Sequence, residues 1–212
     1  MRYAVFVLSI LLSSQVHAAG VDDVLSKLQE KYKNMDTLQA SFTQSYQSKR
    51  FSEGLTEKGV VYLGKGGRMK WDYQKPERKI FLSDGFFYFY YVPADRQVVK
   101  TPVNHQDNQQ SPALFLAGRG DFGKDFKAEW ADPRQASRII KLTPLNPQPD
   151  FQHLIVEVDP VRNLILRLLV IDALDNRTEY KFTNILENPS IPENFFLFQT
   201  PPGTDVILQR TE

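Results

Sequence analysis

From about Leu38 onward the apolar residues of this 212-residue chain recur with a period of two, in short runs that continue almost to its end. Met69, Trp71 and Tyr73 alternate with Arg68, Lys70 and Asp72, the pattern of a strand with one buried and one wet face. Comparable strands are predicted at 41–48, 58–63, 78–83, 86–91, 96–100, 138–142, 152–158, 164–171, 178–185 and 195–199. Gly66-Gly67, Lys75-Pro76, Asp84-Gly85, Pro93-Ala94, Pro160-Val161 and Asp175-Asn176 supply the turns between them. So many consecutive strands joined by short turns specify an antiparallel sheet, and at this strand number a sheet must curl or close. The expected fold is mainly β with few helices: an incomplete antiparallel β-barrel, that is, a strongly curved sheet, closed by a helical lid. A flat two-sheet sandwich with helices at its edge is the alternative.

Two helices are legible. Val21, Val24, Leu25, Leu28, Tyr32 and Met35 recur in steps of three and four, with Asp22 and Asp23 at the start and Lys31 and Lys33 near the end, as the helix dipole favours. A short second helix is predicted at 112–117, where Ser111 can cap, Pro112 takes the first position and Gly118 ends the turn. Both are expected on the concave side of the sheet.

The first eighteen residues differ from the rest. Met1 and Arg2 make a basic start, Tyr3 to Leu12 are almost wholly apolar, and Val16-His17-Ala18 closes the segment, which reads as a secretory signal peptide. The apolar run is too short to span a bilayer, which takes about 20 residues. The mature chain, 19–212, is expected to be one exported, soluble, monomeric domain. Losing Arg2 leaves its basic and acidic residues equal in number, so nothing in its charge draws it to nucleic acid or to an anionic membrane.

The chemistry of catalysis is thinly represented. There is no cysteine, which removes disulfides, thiolate metal sites and a cysteine nucleophile together. Outside the leader only His105 and His153 remain, neither at ligand spacing from another histidine or an acidic cluster. Lys65-Gly66-Gly67-Arg68 lacks the spacing of a phosphate loop, and no Gly-x-Ser-x-Gly elbow is present. No enzyme activity and no cofactor are expected.

Phe86 to Tyr91 is an unbroken run of aromatic rings, so both faces of that strand carry large side chains. Either protein covers the strand on both sides, or one face lines an apolar cavity that holds a ligand, as in other barrels. The stripe Leu25, Leu28, Tyr32 and the Leu114-Phe115-Leu116 segment would then cover the opening; ordinary core packing explains the same stripe.

Several segments together resemble a known family. Ser41-Phe42-Thr43-Gln44 follows the first helix; then come Gly59, Trp71-Asp72-Tyr73, Lys75-Pro76, Ser83-Asp84-Gly85, Tyr91-Val92-Pro93 and Ser111 to Gly118, and the series closes with Phe196 to Gly203. In that order, between about residues 21 and 208, they resemble the periplasmic outer-membrane lipoprotein carrier family, LolA. The resemblance implies a hydrophobic cavity for lipoprotein acyl chains and traffic from an inner-membrane lipoprotein-releasing ABC transporter to an outer-membrane acceptor or to that membrane. It implies a cavity wall of Met69, Trp71, Phe87, Phe89 and Tyr91, with Phe86, Tyr88 and Tyr90 as the inward set if the alternation runs the other way. It implies a lid carrying Leu25, Leu28, Tyr32, Leu114 and Phe115. It also implies a gating role for Lys65, through a hydrogen bond to a helix carbonyl. Here Gly66 follows, where the family often has proline after the basic residue, and lysine lacks the planar fork of arginine. The alternative function is a lipid- or lipoprotein-sensing regulatory domain of the same fold.

Overall fold

One sheet of twelve strands dominates the computed structural model, which describes residues 20–50, 54–103, 121–132, 138–147 and 151–209. The strands are β1 (Thr37–Gln47), β2 (Leu55–Gly64), β3 (Arg68–Lys75), β4 (Lys79–Ser83), β5 (Phe87–Val92), β6 (Gln97–Pro102), β7 (Phe126–Trp130), β8 (Ile139–Pro144), β9 (His153–Val158), β10 (Ile165–Ile171), β11 (Arg177–Glu187) and β12 (Asp205–Leu208). Their spatial order is 12-6-5-4-3-2-1-11-10-9-8-7, and every neighbouring pair is antiparallel except β12 with β6. The end strands β7 and β12 do not pair, so the sheet is a curved, unclosed barrel, as the strand count predicts. Among the described residues two helices accompany it, α1 (Val21–Asn34) and the single turn α2 (Phe122–Asp125), whose first amides bond the Asp121 carboxylate.

Register decides which residues meet. Residues directly opposite share a face, so one face can be followed across the sheet. It passes from Phe81 on β4 to Trp71 on β3, Val61 on β2 and Ala40 on β1. The next row runs from Tyr73 through Gly59 and Phe42 to Phe182 on β11. From Tyr180 on β11 the same face continues through Leu168, Val156 and Ile140. These side chains, nearly all apolar, form one buried cluster with Val24, Leu25, Leu28 and Tyr32 of α1. A cluster that joins β3 to β8 through a helix requires the sheet to curl around that helix. The other face is wet and charged over β7 to β11, with Arg167, Glu179 and Lys181 in one ladder and Glu129 paired to Lys141.

Two expectations need correction. The segment 195–199 is not a strand. A 3-10 turn spans Glu193–Phe196, and the chain then crosses the outer face. There Phe195 meets Tyr62 and Lys70, Phe196 packs against Gly64 and Arg68, and Phe198 stacks on Phe89. The rings are spaced for a strap over the convex side, not for a hydrogen-bonded ladder. The strands β7 and β12 were not foreseen; β12 is four residues long and exposed throughout.

Gly59 leaves no room for a side chain. A Cβ there would lie 2.1 Å from the Asp72 carbonyl oxygen and 2.9 Å from the ring of Phe42, at a register shift between β2 and β3. Gly59→Ala is therefore expected to cost about 3 kcal/mol, the upper end of ordinary overpacking. At about 2–4 °C per kcal/mol for a chain of this size, calorimetry should record a Tm lower by roughly 6–12 °C. An unchanged Tm would mean that β2 and β3 can separate at no cost.

Candidate functional site

The inner face forms a trough whose floor is aromatic. Trp71, buried to 4 % exposure, meets Phe42 and Tyr180 edge-on, with ring centroids 5.0 and 5.5 Å apart, and tilts against Phe182 at 6.1 Å. Met69 is fully buried one row along, opposite Leu63 and Ser83. Leu25, Leu28 and Tyr32 of α1 belong to the same cluster, so these expected lid and wall residues meet on one surface. Leu114 and Phe115, with the rest of 104–120 and His105, lie outside the described residues.

The expected wall positions Phe87, Phe89 and Tyr91 do not join that surface. Ser83 pairs with Tyr88 and Phe81 with Tyr90, so Tyr88 and Tyr90 share the face of Met69 and Trp71. Phe87, Phe89 and Tyr91 point the other way, into a second cluster with Leu82, Val98 and Phe198. The reason is local. The Asp84-Gly85 turn, whose Asp84 carboxylate accepts from the amides of Phe86 and Phe87, fixes the phase of β5. The strap residue Phe198 then covers the face turned outward. Phe86 stands at the turn, 74 % exposed.

Toward the β1–β2 and β3–β4 ends of the strands the trough turns polar. Glu57, only 5 % exposed, pairs with Lys79 at 2.6 Å. The Lys79 ammonium also lies 4.6 Å from the centroid of the Tyr73 ring. The Tyr73 hydroxyl donates to Gln44 Oε1 at 2.8 Å. Burial, with the Glu57 charge adding to it, pushes the Tyr180 phenol up to about 12. The sequence reading did not single out this cluster. The alternation Glu57, Gly59, Val61, Leu63 carried the signal, since it puts Glu57 on the apolar side of its strand.

At its C-terminal half α1 is held by polar contacts placed around its apolar stripe. Lys31 forms an ion pair with Glu187, which Arg162 also binds through Nη2 at 2.7 Å and Nε at 2.9 Å. The Ile165 amide donates to the Tyr32 hydroxyl at 3.2 Å, and the Phe122 amide to Gln29 Oε1 at 3.1 Å. Lys65 does not reach a helix carbonyl with its side chain. Its ammonium pairs with the carboxylate of Asp36, just past the end of α1, while its backbone amide donates to the Asp36 carbonyl at 3.2 Å. Both side chains are more than half exposed, 55 % and 69 %, so the pair contributes less than about 1 kcal/mol.

Two small openings adjoin the C-terminal half of α1 among the described residues. Between Tyr32 and the floor residues Leu38, Val61, Leu63 and Phe182 a cavity of ≈ 10 Å³ remains, about the room of one water molecule. A second opening of ≈ 80 Å³ lies at the end of α1, beside Met35, Leu38, Leu63 and Lys65. Neither of these two openings has room for an acyl chain. Among the described residues no group of three or more His, Cys, Asp or Glu side chains is placed to hold a metal ion, and no helix is long and apolar enough to cross a membrane.

Residues 33–199 match the family model described as outer membrane lipoprotein carrier protein LolA. An outer-membrane lipoprotein carrier protein of Alcanivorax borkumensis is 30 % identical over 203 residues, covering 95 % of this chain and 94 % of its own. One of Nitrosospira multiformis is 26 % identical over 209 residues, covering 97 % of each. In fold, the chain is similar to a LolA superfamily protein of Nitrosomonas europaea, with TM-score 0.50 and 12 % identity over 85 % of this chain and 99 % of that one. It is also similar to an uncharacterized conserved protein of Thermus thermophilus, with TM-score 0.57 and 13 % identity over 89 % and 98 %.

The Glu187 contacts make closure of α1 testable. The hydrogen bond from Lys31, joined by one from Arg162, holds the Glu187 carboxyl below the usual carboxylate range in spite of partial burial. A lowered folded value means that the stabilisation is complete above the ordinary glutamate range and is lost as pH falls through the lowered value. Glu187→Gln is expected to weaken closure by on the order of 1 kcal/mol. Hydrogen exchange of the α1 amides at pH 7 should then run about fivefold faster relative to those of β1. In the wild type the same loosening should appear only on acidification. Equal exchange in both proteins would remove Glu187 from the closure of α1.

Proposed function

The chain belongs to the outer membrane lipoprotein carrier protein LolA family, and from that premise we propose that it carries acylated lipoproteins across the periplasm with their chains laid in the trough. One observation carries this reading: the apolar inner face is covered by a helix whose central contacts, through Val24, Leu25 and Leu28, are hydrocarbon. Contacts of that kind are non-directional, so acyl chains can replace them at little cost. On this reading residues 1–18 are the export signal, 19–212 the carrier domain, and the protein acts as a monomeric, cofactor-free binding protein. Met69, Trp71, Tyr88 and Tyr90 belong to the wall, and Leu25, Leu28 and Tyr32, with Leu114 and Phe115 of the second expected helix, to the lid.

Magnitudes favour a carrier fed by an energised donor. Three acyl chains with on the order of 45 methylenes, at ~0.8 kcal/mol each, amount to roughly 36 kcal/mol of exposure in water. Non-covalent affinity saturates near about 20 kcal/mol. Binding alone therefore cannot extract the cargo, and an inner-membrane lipoprotein-releasing ABC transporter is the fitting source. Discharge runs downhill to an outer-membrane acceptor, or to the membrane itself, that covers the chains better.

Intact-mass analysis of the protein isolated from its own periplasm is the direct check. Triacylated lipoproteins bound to it are expected; a lipid-free regulatory protein in their place would favour the sensing alternative. Gating is checked separately. Lys65→Leu should leave loading intact and slow discharge, because the closed empty state is weakened, by less than about fivefold given the exposure of the Lys65–Asp36 pair. Transfer of a labelled lipoprotein to outer-membrane vesicles at the wild-type rate would assign Lys65 to solvent.

A further inference from the structure

An indole N–H is left without a partner in the middle of the trough. Trp71 Nε1 is buried and makes no hydrogen bond among the described residues, although its ring is packed on several sides. The groups of the polar end stand beside it: Tyr73 is two residues along β3, and Lys79 pairs directly opposite Tyr73. Glu57 lies opposite Gln44 on the neighbouring strands. Such features do not stabilise a fold. A buried ion pair is commonly no better than apolar residues of the same volume, and an unmet donor costs free energy outright. A trough that only had to grip hydrocarbon would be better built without them.

Along this stretch of the inner face lie donors, Trp71 Nε1 and the Lys79 ammonium, and acceptors, the Glu57 carboxylate and Gln44 Oε1. It also carries no net charge, because Lys79 is neutralised by Glu57. A ligand that suits it has acyl chains, uncharged carbonyl oxygens to accept and an amide N–H to donate. An N-acylated, ester-linked amino-acid terminus has all of these. A phospholipid with the same chains brings an anionic phosphate that would face the Glu57 carboxylate, whose Lys79 partner is already engaged.

We propose that Trp71, Glu57, Lys79, Gln44 and Tyr73 form a polar subsite that hydrogen-bonds the ester- and amide-bearing end of an acylated amino terminus. The cargo is then recognised by its linkage as well as by its chains. The proposal rests on the carrier reading, and the test separates the two. In the closed protein the subsite is part satisfied, by the Glu57–Lys79 and Tyr73–Gln44 bonds, and part open, at Trp71. Loading fills the open donor first.

The test uses the full mature chain and three probes: a synthetic triacylated lipopeptide, its analogue with ether links and alkylated nitrogen, and a chain-matched anionic phospholipid. Trp71→Phe keeps an aromatic ring and removes the donor. It is expected to weaken lipopeptide binding roughly 5- to 30-fold, to leave the ether analogue unaffected, and to leave Tm unchanged or higher. In the wild type, the Trp71 indole N–H resonance in a ¹H–¹⁵N spectrum should move downfield with the lipopeptide and not with the ether analogue, a readout that needs no variant. Glu57→Gln should narrow the preference for lipopeptide over phospholipid. Equal losses for lipopeptide and ether analogue, no loss for either, or an indole shift with phospholipid as large as with lipopeptide would overturn the subsite while leaving the carrier reading intact. If the wild type bound none of the three probes, both would fall.

Discussion

The packing of α1 into the inner face of the sheet is the contact on which the rest of the structure depends. Val24, Leu25, Leu28 and Tyr32 are buried there. At about 1.5–3 kcal/mol for each large apolar side chain, they supply at most on the order of 6–12 kcal/mol, an upper bound since unfolded chains are partly collapsed. That is comparable to the whole stability of an ordinary domain. The helix therefore cannot swing away and leave an empty trough: something apolar must take its place. A sheet that stops short of closure at β7 and β12 provides the freedom for this, because its curvature is not locked by an unbroken ring of hydrogen bonds.

The two faces of the sheet divide the work. The outer face is solvated by charge ladders over β8 to β11 and strapped with aromatic rings over β2 to β5, where Phe195, Phe196 and Phe198 anchor the C-terminal segment. The inner face is apolar through its middle and polar at one end. Lipid acyl chains and their attachment point have the same division, hydrocarbon first and hydrogen-bonding groups at the end. The inner face is therefore polarised along its length, not merely greasy.

Much of this was legible in the sequence, because period two in β1 to β3 and β8 to β11 and the three-four spacing of α1 each point to one buried side. Phe86 to Tyr91 resisted because both parities are aromatic. The Asp84-Gly85 turn sets the phase, and the ring that covers the outward set, Phe198, is more than a hundred positions away and meets Phe89 only after the chain has folded back. The same strap explains the false strand at 195–199, where Phe196 and Phe198 alternate as strand residues do and yet serve as side-chain anchors between prolines. Strand β7 had a readable signal in Phe126, Ala128 and Trp130 against Lys127 and Glu129. Strand β12 had almost none: it is short and exposed, and it is ordered by a parallel pairing with β6, which no local pattern encodes. The polar end of the trough could be suspected from Glu57 alone, but Lys79 and Gln44 become its partners only through register.

Adjacent residues of β5 distinguish cargo on the inner face from cargo on the outer one. Tyr88 shares the face of Trp71, and Phe89 points into the cluster under Phe198. A photoreactive phenylalanine analogue placed at position 88 or at position 89, one per protein, would be irradiated after loading from inner-membrane vesicles that contain labelled lipoproteins. Acyl-chain adducts are predicted at position 88 and not at 89. Adducts at 89 without adducts at 88 would put the lipid on the convex side and contradict the account.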